Sequence, residues 1–447
     1  MAPPRAPSRA FTSPLLLLYA VAGLILVGTL LLSLPLAHRG EGFTSFVIAL
    51  FTAASAVTVT GLVIVDTGVY WSPFGQGVIL ALIAVGGLGF MTLATFLLIV
   101  LGQRITLAER LMMRDTLGTG QLGGLVRLIR NVVLLVLVIY LLGFLALIPS
   151  FRQFYTFPEA LWQAAFHSIS GFNNAGFTIV GGNTSLRLFQ LDLYPIAIMI
   201  ILMVLGSISY TVLVDLFRVR RFSRLTLDTR LVLVATLFLY ALGTLVIFGS
   251  EYANPNTLGG MDVGHGLFNS LFHAVSGRTA GFSTLDFGQT RENTNLFTGV
   301  LMFIGGASGS TAGGIKVNTF AVIVVAILAS IRGRTQVEAF GREVPSFLVQ
   351  RALAIAALAL ALLFVVAFFL TFTEDAPFSQ LFFETFSAFG TAGLSTGITS
   401  QLSNAGQYLL VFTMFVGRVG PLTLALALIP REERALYRYA QERVKIG

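Results

Sequence analysis

The sequence predicts an all-α integral membrane protein built from four similar units in tandem. Its mean hydropathy is +0.86. Charged residues make up 11% of the 447 residues, against about 25% in ordinary soluble domains. A short motif ending in a glycine recurs at Gly61, Gly176, Gly281 and Gly393, at intervals of 105 to 115 residues. A motif that returns at a nearly constant interval indicates one structural unit used four times.

Each glycine motif follows a short apolar segment, such as His265–Ser276 or Pro377–Ala388. Such a segment is too short to cross a bilayer, because a spanning helix needs roughly 20 residues. Longer apolar segments lie before and after every motif. The predicted fold is therefore four tandem membrane-pore-membrane repeats, with eight transmembrane helices and four pore half-helices around one central pore. The repeats are expected to cover residues 1–102, 103–220, 221–334 and 335–447.

In the first unit, Leu15–Leu36 is too long for the core of a signal peptide, and no small-residue cleavage site follows it. This segment is predicted to cross the membrane outward. Phe43–Ala56 is the first half-helix, and Phe74–Leu101 returns to the cytoplasm. The later units repeat this order, and their predicted helices are Asn131–Ile148, Pro158–Ser170, Leu193–Phe217, Leu231–Phe248, Gly264–Ser276, Leu296–Ile331, Ala352–Phe372, Pro377–Ala388 and Tyr408–Ile429.

The positive charge follows membrane topology rather than marking a nucleic-acid surface. The net charge is +8, and acidic connections alternate along the chain with basic clusters. Cytoplasmic loops of membrane proteins carry the excess of lysine and arginine, so both termini are expected in the cytoplasm. No nucleic-acid partner is expected. The absence of cysteine excludes disulfides and thiolate catalysis. The basic clusters are Arg5–Arg9, Arg104–Arg130, Arg218–Arg230, Arg332–Arg351 and Arg431–Lys445.

The segment Leu296–Ile331 is longer than a bilayer requires, and its middle is rich in glycine, serine and threonine. This composition disfavours a continuous helix. Non-helical backbone within a membrane must be buried in protein or reached by water. A loop across a water-filled pore meets this condition, whereas a cytoplasmic loop between two shorter helices would upset the number of crossings. Gly309–Lys316 does not match a phosphate-binding loop, because Ile315 separates the glycine from the lysine.

The glycine motifs suggest sites for a cation. Rings of backbone carbonyls can replace an ion's hydration shell without burying a formal charge. Aiming consecutive carbonyls at one axis needs backbone angles that glycine adopts most easily. One such glycine alone would indicate a helix-packing contact, which is common in membrane proteins. Four of them, each after a half-helix, favour an ion path.

Lys316 and Arg418 are the two basic residues within the predicted spans, and ionisable side chains at that depth need an explanation. Lys316 either faces the pore or extends to the cytoplasmic interface. Arg418 either binds carbonyls or a partner, or places positive charge beside the ion path. His167 and His273 are expected to be structural, and Glu384 is expected to face the mouth of the pore. No catalytic constellation is found, so the chain is not expected to be an enzyme.

Several motifs resemble those of the Trk/Ktr/HKT superfamily of potassium transporters, and together they cover almost the whole chain. Within this superfamily the chain most resembles the Ktr-type membrane subunit, because its first repeat begins near Leu15. Gly61 stands where sodium-selective plant members have serine. The motifs are Thr58–Leu62, Gly86–Thr92, Phe172–Phe177, Arg278–Phe282, Ser308–Lys316 and Gly417–Thr423.

The resemblance implies a potassium filter of backbone carbonyls and a gating loop below it. The filter residues implied are Val59, Thr60, Gly61, Asn174, Ala175, Gly176, Thr279, Ala280, Gly281, Thr391, Ala392 and Gly393. The gate residues implied are Gly305, Gly306, Ser308, Gly309, Ser310, Thr311, Gly313, Gly314, Lys316 and Arg418.

The resemblance also implies potassium uptake across the bacterial plasma membrane. It implies a homodimer in the membrane, controlled by a cytosolic regulatory ring that binds ATP or ADP. No covalent cofactor is expected, and sodium is a candidate activating ion. The alternative is an ion-coupled secondary transporter, a sodium or proton symporter of potassium without a ring. Such transporters commonly show inverted repeats, whereas all four units here run in one direction, which favours a pore.

Overall fold

In the part of the chain that the structure describes, the fold is a set of α-helices with one short hairpin. The structure is a computed structural model in which residues 14–89, 125–182, 184–428 and 442 are described. A two-stranded antiparallel hairpin pairs β1 (Glu338–Ala339) with β2 (Arg342–Glu343). The α-helices are α1 Pro14–Ser33, α2 Phe46–Thr58, α3 Thr67–Tyr70, α4 Pro73–Leu88, α5 Leu125–Arg152, α6 Phe157–Phe172, α7 Leu193–Ser207, α8 Tyr210–Val219, α9 Leu227–Glu251, α10 Val263–Ser276, α11 Glu292–Phe303, α12 Val317–Ile331, α13 Ser346–Thr373, α14 Phe378–Gly390, α15 Asn404–Val419 and α16 Pro421–Leu428.

Three helices in the described part of the chain are long and apolar enough to cross a membrane. They are Ile129–Arg152, Leu227–Glu251 and Ser346–Thr373. Only 28 to 39% of their most apolar windows is buried inside the protein, so most of this apolar surface faces outward. The pair α7 and α8, bent by 98°, makes a fourth if it is counted as one span. Shorter apolar helices include Pro73–Leu88 and Val317–Ile331.

The return helix of the second unit is not continuous, so the prediction of one helix over Leu193–Phe217 is wrong. Helix α7 ends at Ser207, and α8 begins two residues after Ile208, whose backbone is extended. The carbonyl of Gly206 accepts a hydrogen bond from the N–H of Thr311, and that of Ser207 accepts one from Ala307. Because these carbonyls accept hydrogen bonds from a loop that is distant in the sequence, they do not form the backbone hydrogen bonds that would continue the helix.

The return helices of the other units also end or break. In the fourth unit the predicted helix Tyr408–Ile429 is interrupted at Gly420, where φ is +94°, and Pro421 opens the next helix. A proline is compatible with a first helical turn but not with the interior of a helix. Helix α4 ends at Leu88, and the rest of the predicted Phe74–Leu101 lies outside the described residues. In the third unit the residues between α11 and α12 form no helix.

The four half-helices are α2, α6, α10 and α14, and their bounds lie within a few residues of the predicted ones. They contain 13 to 16 residues, which is about 20–24 Å at 1.5 Å per residue and shorter than a bilayer core. Two of them have side-chain caps: Asp262 caps α10, and at α6 hydrogen bonds from the hydroxyl and the backbone N–H of Thr156 hold the pKa of Glu159 below its usual value. Their last turns are buried.

The half-helices pack in cyclic order. Each one contacts the return helix of the preceding unit: α6 packs on α4, α10 on α7 and α14 on α11. The order closes because α2 of the first unit packs on α15 of the fourth. A hydrophobic cluster that joins Phe51 and Ala54 to Leu410 and Met414 fills this closing contact. The segments that follow the half-helices are thereby directed toward one another.

Candidate functional site

The glycine stretches, defined as Val59–Gly61, Asn174–Gly176, Thr279–Gly281 and Thr391–Gly393, share one backbone pattern. Non-glycine residues rarely adopt positive φ, so four such residues at one repeated position indicate a backbone fixed by its surroundings. The first residues have φ of 58° at Val59, 55° at Asn174, 73° at Thr279 and 49° at Thr391. The last residues have φ of 91° at Gly61, 68° at Gly176, 80° at Gly281 and 81° at Gly393.

The four glycines lie around a common axis. A methyl group added at Gly61 would lie 2.5 Å from the carbonyl oxygen of Ala175, and one at Gly281 would lie 2.5 Å from that of Ala392. The same relation joins Gly176 to the carbonyl oxygen of Ala280 and Gly393 to that of Thr60. Each glycine therefore faces the middle residue of the next stretch, and the fourth faces the first. Backbone atoms fill the space where side chains would stand.

A buried serine in each half-helix supports the stretch that follows it. The N–H of the middle residue donates to the backbone carbonyl of this serine. The pairs are Thr60 with Ser55 at 2.8 Å, Ala175 with Ser170 at 2.9 Å, Ala280 with Ser276 at 2.8 Å and Ala392 with Ser387 at 2.8 Å. Because these N–H groups are hydrogen-bonded to the preceding half-helix, they are not free to donate at the axis. The sequence interpretation missed these serines, although they stand four or five residues before the middle residues.

A cavity of about 210 Å³ lies on the side of the glycines that continues into the following segments. Three charged residues line it. Asp286 forms an ion pair with Arg187 at 3.1 Å. The carboxylate of Asp66 accepts hydrogen bonds from the N–H groups of Gly68 at 2.8 Å and Gly182 at 2.6 Å. The cavity therefore borders all four glycines and has charged and polar groups in its lining.

The loop Gly305–Lys316 lies on the other side of the glycine stretches. The hydroxyl of Thr311 is 2.9 Å from the side-chain amide of Asn174. A methyl group at Gly313 would meet the hydroxyl of Thr391, and one at Gly305 would lie 3.4 Å from the Thr279 side chain. The loop thus contacts the first residue of three of the four stretches.

Three basic side chains hold the loop through its carbonyl oxygens. Arg418 donates to the carbonyls of Thr311 and Gly86. Of the two alternatives for Arg418, carbonyl binding is the one that the structure shows. Lys316 donates to the carbonyl of Ala312 within the loop.

The third basic residue, Arg278, was missed by the sequence interpretation. It is 2% exposed and donates to the carbonyls of Gly305 at 2.7 Å and Ile304 at 3.3 Å. Its guanidinium lies 5.1 Å from the centre of the Tyr240 ring. The available signal was its position directly before Thr279, inside a segment that otherwise has no charge between His273 and Asp286.

The expectation that Glu384 faces the mouth is wrong, because this residue is completely buried. Both oxygens of its carboxylate accept hydrogen bonds from the segment Ser395–Thr399. His167 and His273 also bind within the fold, to the hydroxyls of Thr178 at 2.8 Å and Thr284 at 3.0 Å. Among the described residues no group of three histidine or acidic side chains could hold a metal ion.

Comparison with known proteins identifies the family. The family model described as TrkH, cation transport protein, matches residues 29–436. This chain belongs to the TrkH family. Ktr system potassium uptake protein B of Bacillus subtilis is 42% identical to it over 437 residues, which are 98% of this chain and 97% of the relative. Potassium/sodium uptake protein NtpJ of Enterococcus hirae is 34% identical over 95% of both chains.

The potassium transporter TrkH from Vibrio parahaemolyticus has the same fold as this TrkH-family chain. The TM-score is 0.75, with 17% sequence identity, over 96% of this chain and 86% of that chain. The family match confirms the membership predicted from the motifs. It places the helices and the ring of glycines in a family of membrane cation transport proteins.

Proposed function

We propose that this chain takes up potassium across the bacterial plasma membrane through a pore on the axis of the four glycine stretches. The observation that carries this proposal is the closed ring in which each glycine faces the carbonyl of the next stretch. Twelve residues would then form the filter, and backbone carbonyls would replace the hydration shell of the ion. Relatives named Ktr system potassium uptake protein B, from Bacillus subtilis and Vibrio alginolyticus, support potassium as the ion.

The proposed architecture is four membrane-pore-membrane repeats, over residues 1–102, 103–220, 221–334 and 335–447, with both termini in the cytoplasm. The cyclic packing of the half-helices supports it. Each half-helix directs its C-terminal end toward the glycine stretch that follows. The negative end of a helix dipole favours a cation there.

The loop Gly305–Lys316 is the proposed gate, and the positively charged side chain of Arg418 is proposed to hold it in place. Two properties support this role: the loop contacts the stretches directly, and it forms no helix. It is held by a few hydrogen bonds to the break between α7 and α8 and by basic side chains. Local opening of this non-helical segment, without unfolding of the helices, would release the stretches that it contacts.

The proposed assembly is a homodimer in the membrane, regulated by a cytosolic ring that binds ATP or ADP. The name of the Bacillus subtilis relative, which refers to a Ktr system, supports a companion subunit. The name of NtpJ, which includes sodium, keeps sodium as a candidate activating ion. No covalent cofactor is assigned.

The test is flux in liposomes that contain the purified full chain. Potassium flux is measured with and without sodium, and with and without a proton gradient. We expect potassium flux down its own gradient to exceed sodium flux under matched conditions. Equal flux of the two ions would overturn the filter. Potassium flux that stops without a sodium or proton gradient would instead support the ion-coupled symporter.

A further inference from the structure

The half-helices carry a second repeated position, three residues before the buried serine. Its side chains are at most 1% exposed, so none of them meets the ion or the lipid directly. The four residues are Thr52, His167, His273 and Glu384.

In the second and third units this position binds one residue of the segment after the glycine. His167 binds the hydroxyl of Thr178 at 2.8 Å, and Thr178 stands two residues after the glycine of its stretch. His273 binds the hydroxyl of Thr284 at 3.0 Å, three residues after its glycine. Each histidine thus joins its half-helix to the chain that leaves the glycine stretch. In the first unit the hydroxyl of Thr52 makes no such hydrogen bond.

In the fourth unit the link is a two-sided clamp. One carboxylate oxygen of Glu384 accepts from the hydroxyl of Ser395 at 2.7 Å and from the N–H of Thr396 at 3.0 Å. The other oxygen accepts from the hydroxyl of Thr399 at 2.7 Å. Ser395 and Thr399 line the 210 Å³ cavity next to the glycines. None of the ion pairs among the described residues includes Glu384, so these polar groups are its partners.

We propose that Glu384 is a positioning residue that sets ion selectivity by fixing the fourth glycine stretch. This inference rests on the proposed function, because it assumes that the stretch is part of a filter. The clamp begins two residues after Gly393, and the carbonyl of Ala392 lies against the glycine of the third stretch. A shift of the clamped segment therefore moves a carbonyl at the axis. Discrimination between ions of different size depends on the number and placement of those carbonyls.

The experiment compares the ratio of potassium to sodium flux in liposomes for four variants of the full chain. Glu384→Gln keeps the shape but replaces one accepting oxygen with an NH₂ group that only donates. Thr399→Val keeps Glu384 and removes one donor, and it decides the question if the first variant does not fold. Glu374→Gln is the matched control, because this carboxylate of the same unit binds the N–H and hydroxyl of Ser403 at the start of α15 instead. Gly281→Ser alters the ring itself.

We expect Glu384→Gln and Thr399→Val to lower the flux ratio about tenfold, because each variant loses a hydrogen bond that fixes the carbonyl at the axis. Glu374→Gln should keep the wild-type ratio, and the melting temperature of each variant separates this effect from general instability. Wild-type ratios in both clamp variants, with a lost ratio in Gly281→Ser, would overturn the inference and leave the filter standing. An equal loss in Glu374→Gln would also overturn it. A wild-type protein without potassium preference would overturn the proposed function itself.

Discussion

At the scale of the residue, the four stretches can approach one another closely because the glycines of the ring have no side chain. A side chain at any of the four positions would run into a backbone atom of a neighbouring stretch. The positive φ of these glycines adds a second constraint, because side chains disfavour that conformation. The close packing of the four stretches therefore requires glycine at all four positions.

Gly61→Ser and Gly281→Ser should each bring the ratio of potassium to sodium flux close to one or abolish uptake. The added side chain must displace a carbonyl oxygen 2.5 Å away. Growth rescue of potassium-uptake-deficient cells and flux in liposomes measure the effect. Gly249→Ala is a suitable control, because nothing lies within 4 Å of a methyl group there. Unchanged selectivity in both serine variants would refute the filter assignment.

Arg278→Gln should release the beginning of the loop. It removes hydrogen bonds to the carbonyls of Gly305 and Ile304, each of which contributes about 1.5–3 kcal/mol when the donor is charged. We expect a lower melting temperature and a higher basal flux. Arg334→Gln serves as control, since Arg334 is exposed and pairs only at 3.5 Å with Glu338. A lower melting temperature with unchanged basal flux would assign Arg278 to stability alone.

At the scale of the element, local sequence was sufficient for the half-helices but not for the broken return helices. A short apolar segment followed by a glycine motif marks each half-helix, and these signals are local. The break after Ser207 was not predicted, although Gly206, Ser207 and Ser209 interrupt the apolar residues of Leu193–Phe217 there. The break depends on the loop Gly305–Lys316, about a hundred residues away in the sequence. N–H groups of this loop donate to the carbonyls of Gly206 and Ser207.

The candidate site, like the fold, was predictable only in part. The twelve stretch residues follow from the repeated motif, and the structure brings them together. Arg278 and Glu384 were not assigned correctly, because their roles depend on contacts with residues 11 to 27 positions further along the chain. Hydropathy alone predicts that a charge in an apolar segment is costly, but it does not identify its partner.

Deleting residues 308–311 should increase potassium flux while the flanking helices α11 and α12 remain. The deletion removes Thr311, which anchors the loop to Gly206 through its N–H at 3.2 Å and its hydroxyl at 3.0 Å. It also removes the carbonyl that Arg418 binds. Flux in liposomes and a retained helical circular dichroism spectrum check the result. A folded deletion variant that conducts at the wild-type rate would make the loop a simple connector.

At the scale of the whole molecule, a ring of similar units contains one loop that belongs to a single unit. The third unit supplies the loop, the second its docking carbonyls, and Arg418 of the fourth joins it to Gly86 of the first. All four units therefore contribute to holding it. A displacement of any one unit can therefore displace the loop through these hydrogen bonds.

Replacing Arg332, Arg334 and Arg342 together with glutamine should slow association with a nucleotide-binding partner more than it weakens the final complex. These arginines are exposed near the β1–β2 hairpin, and exposed charges act mainly on association rate. Co-purification and binding kinetics at low and high salt measure this effect. Arg39→Gln, in the loop after α1, is the control. If no nucleotide-binding partner co-purifies and flux ignores ATP and ADP, the chain works without a ring.

The closing contact between the first and fourth units also constrains synthesis of the protein. Thr60 meets Gly393, and the two residues are separated by about 330 positions in the sequence. At a translation rate of about 5–20 residues per second, the first stretch waits roughly 20–60 seconds for its neighbour. During that interval the nascent chain holds an open arc whose buried hydroxyls and carbonyls lack their final partners. Synthesis of the fourth unit is therefore the step that completes the ring.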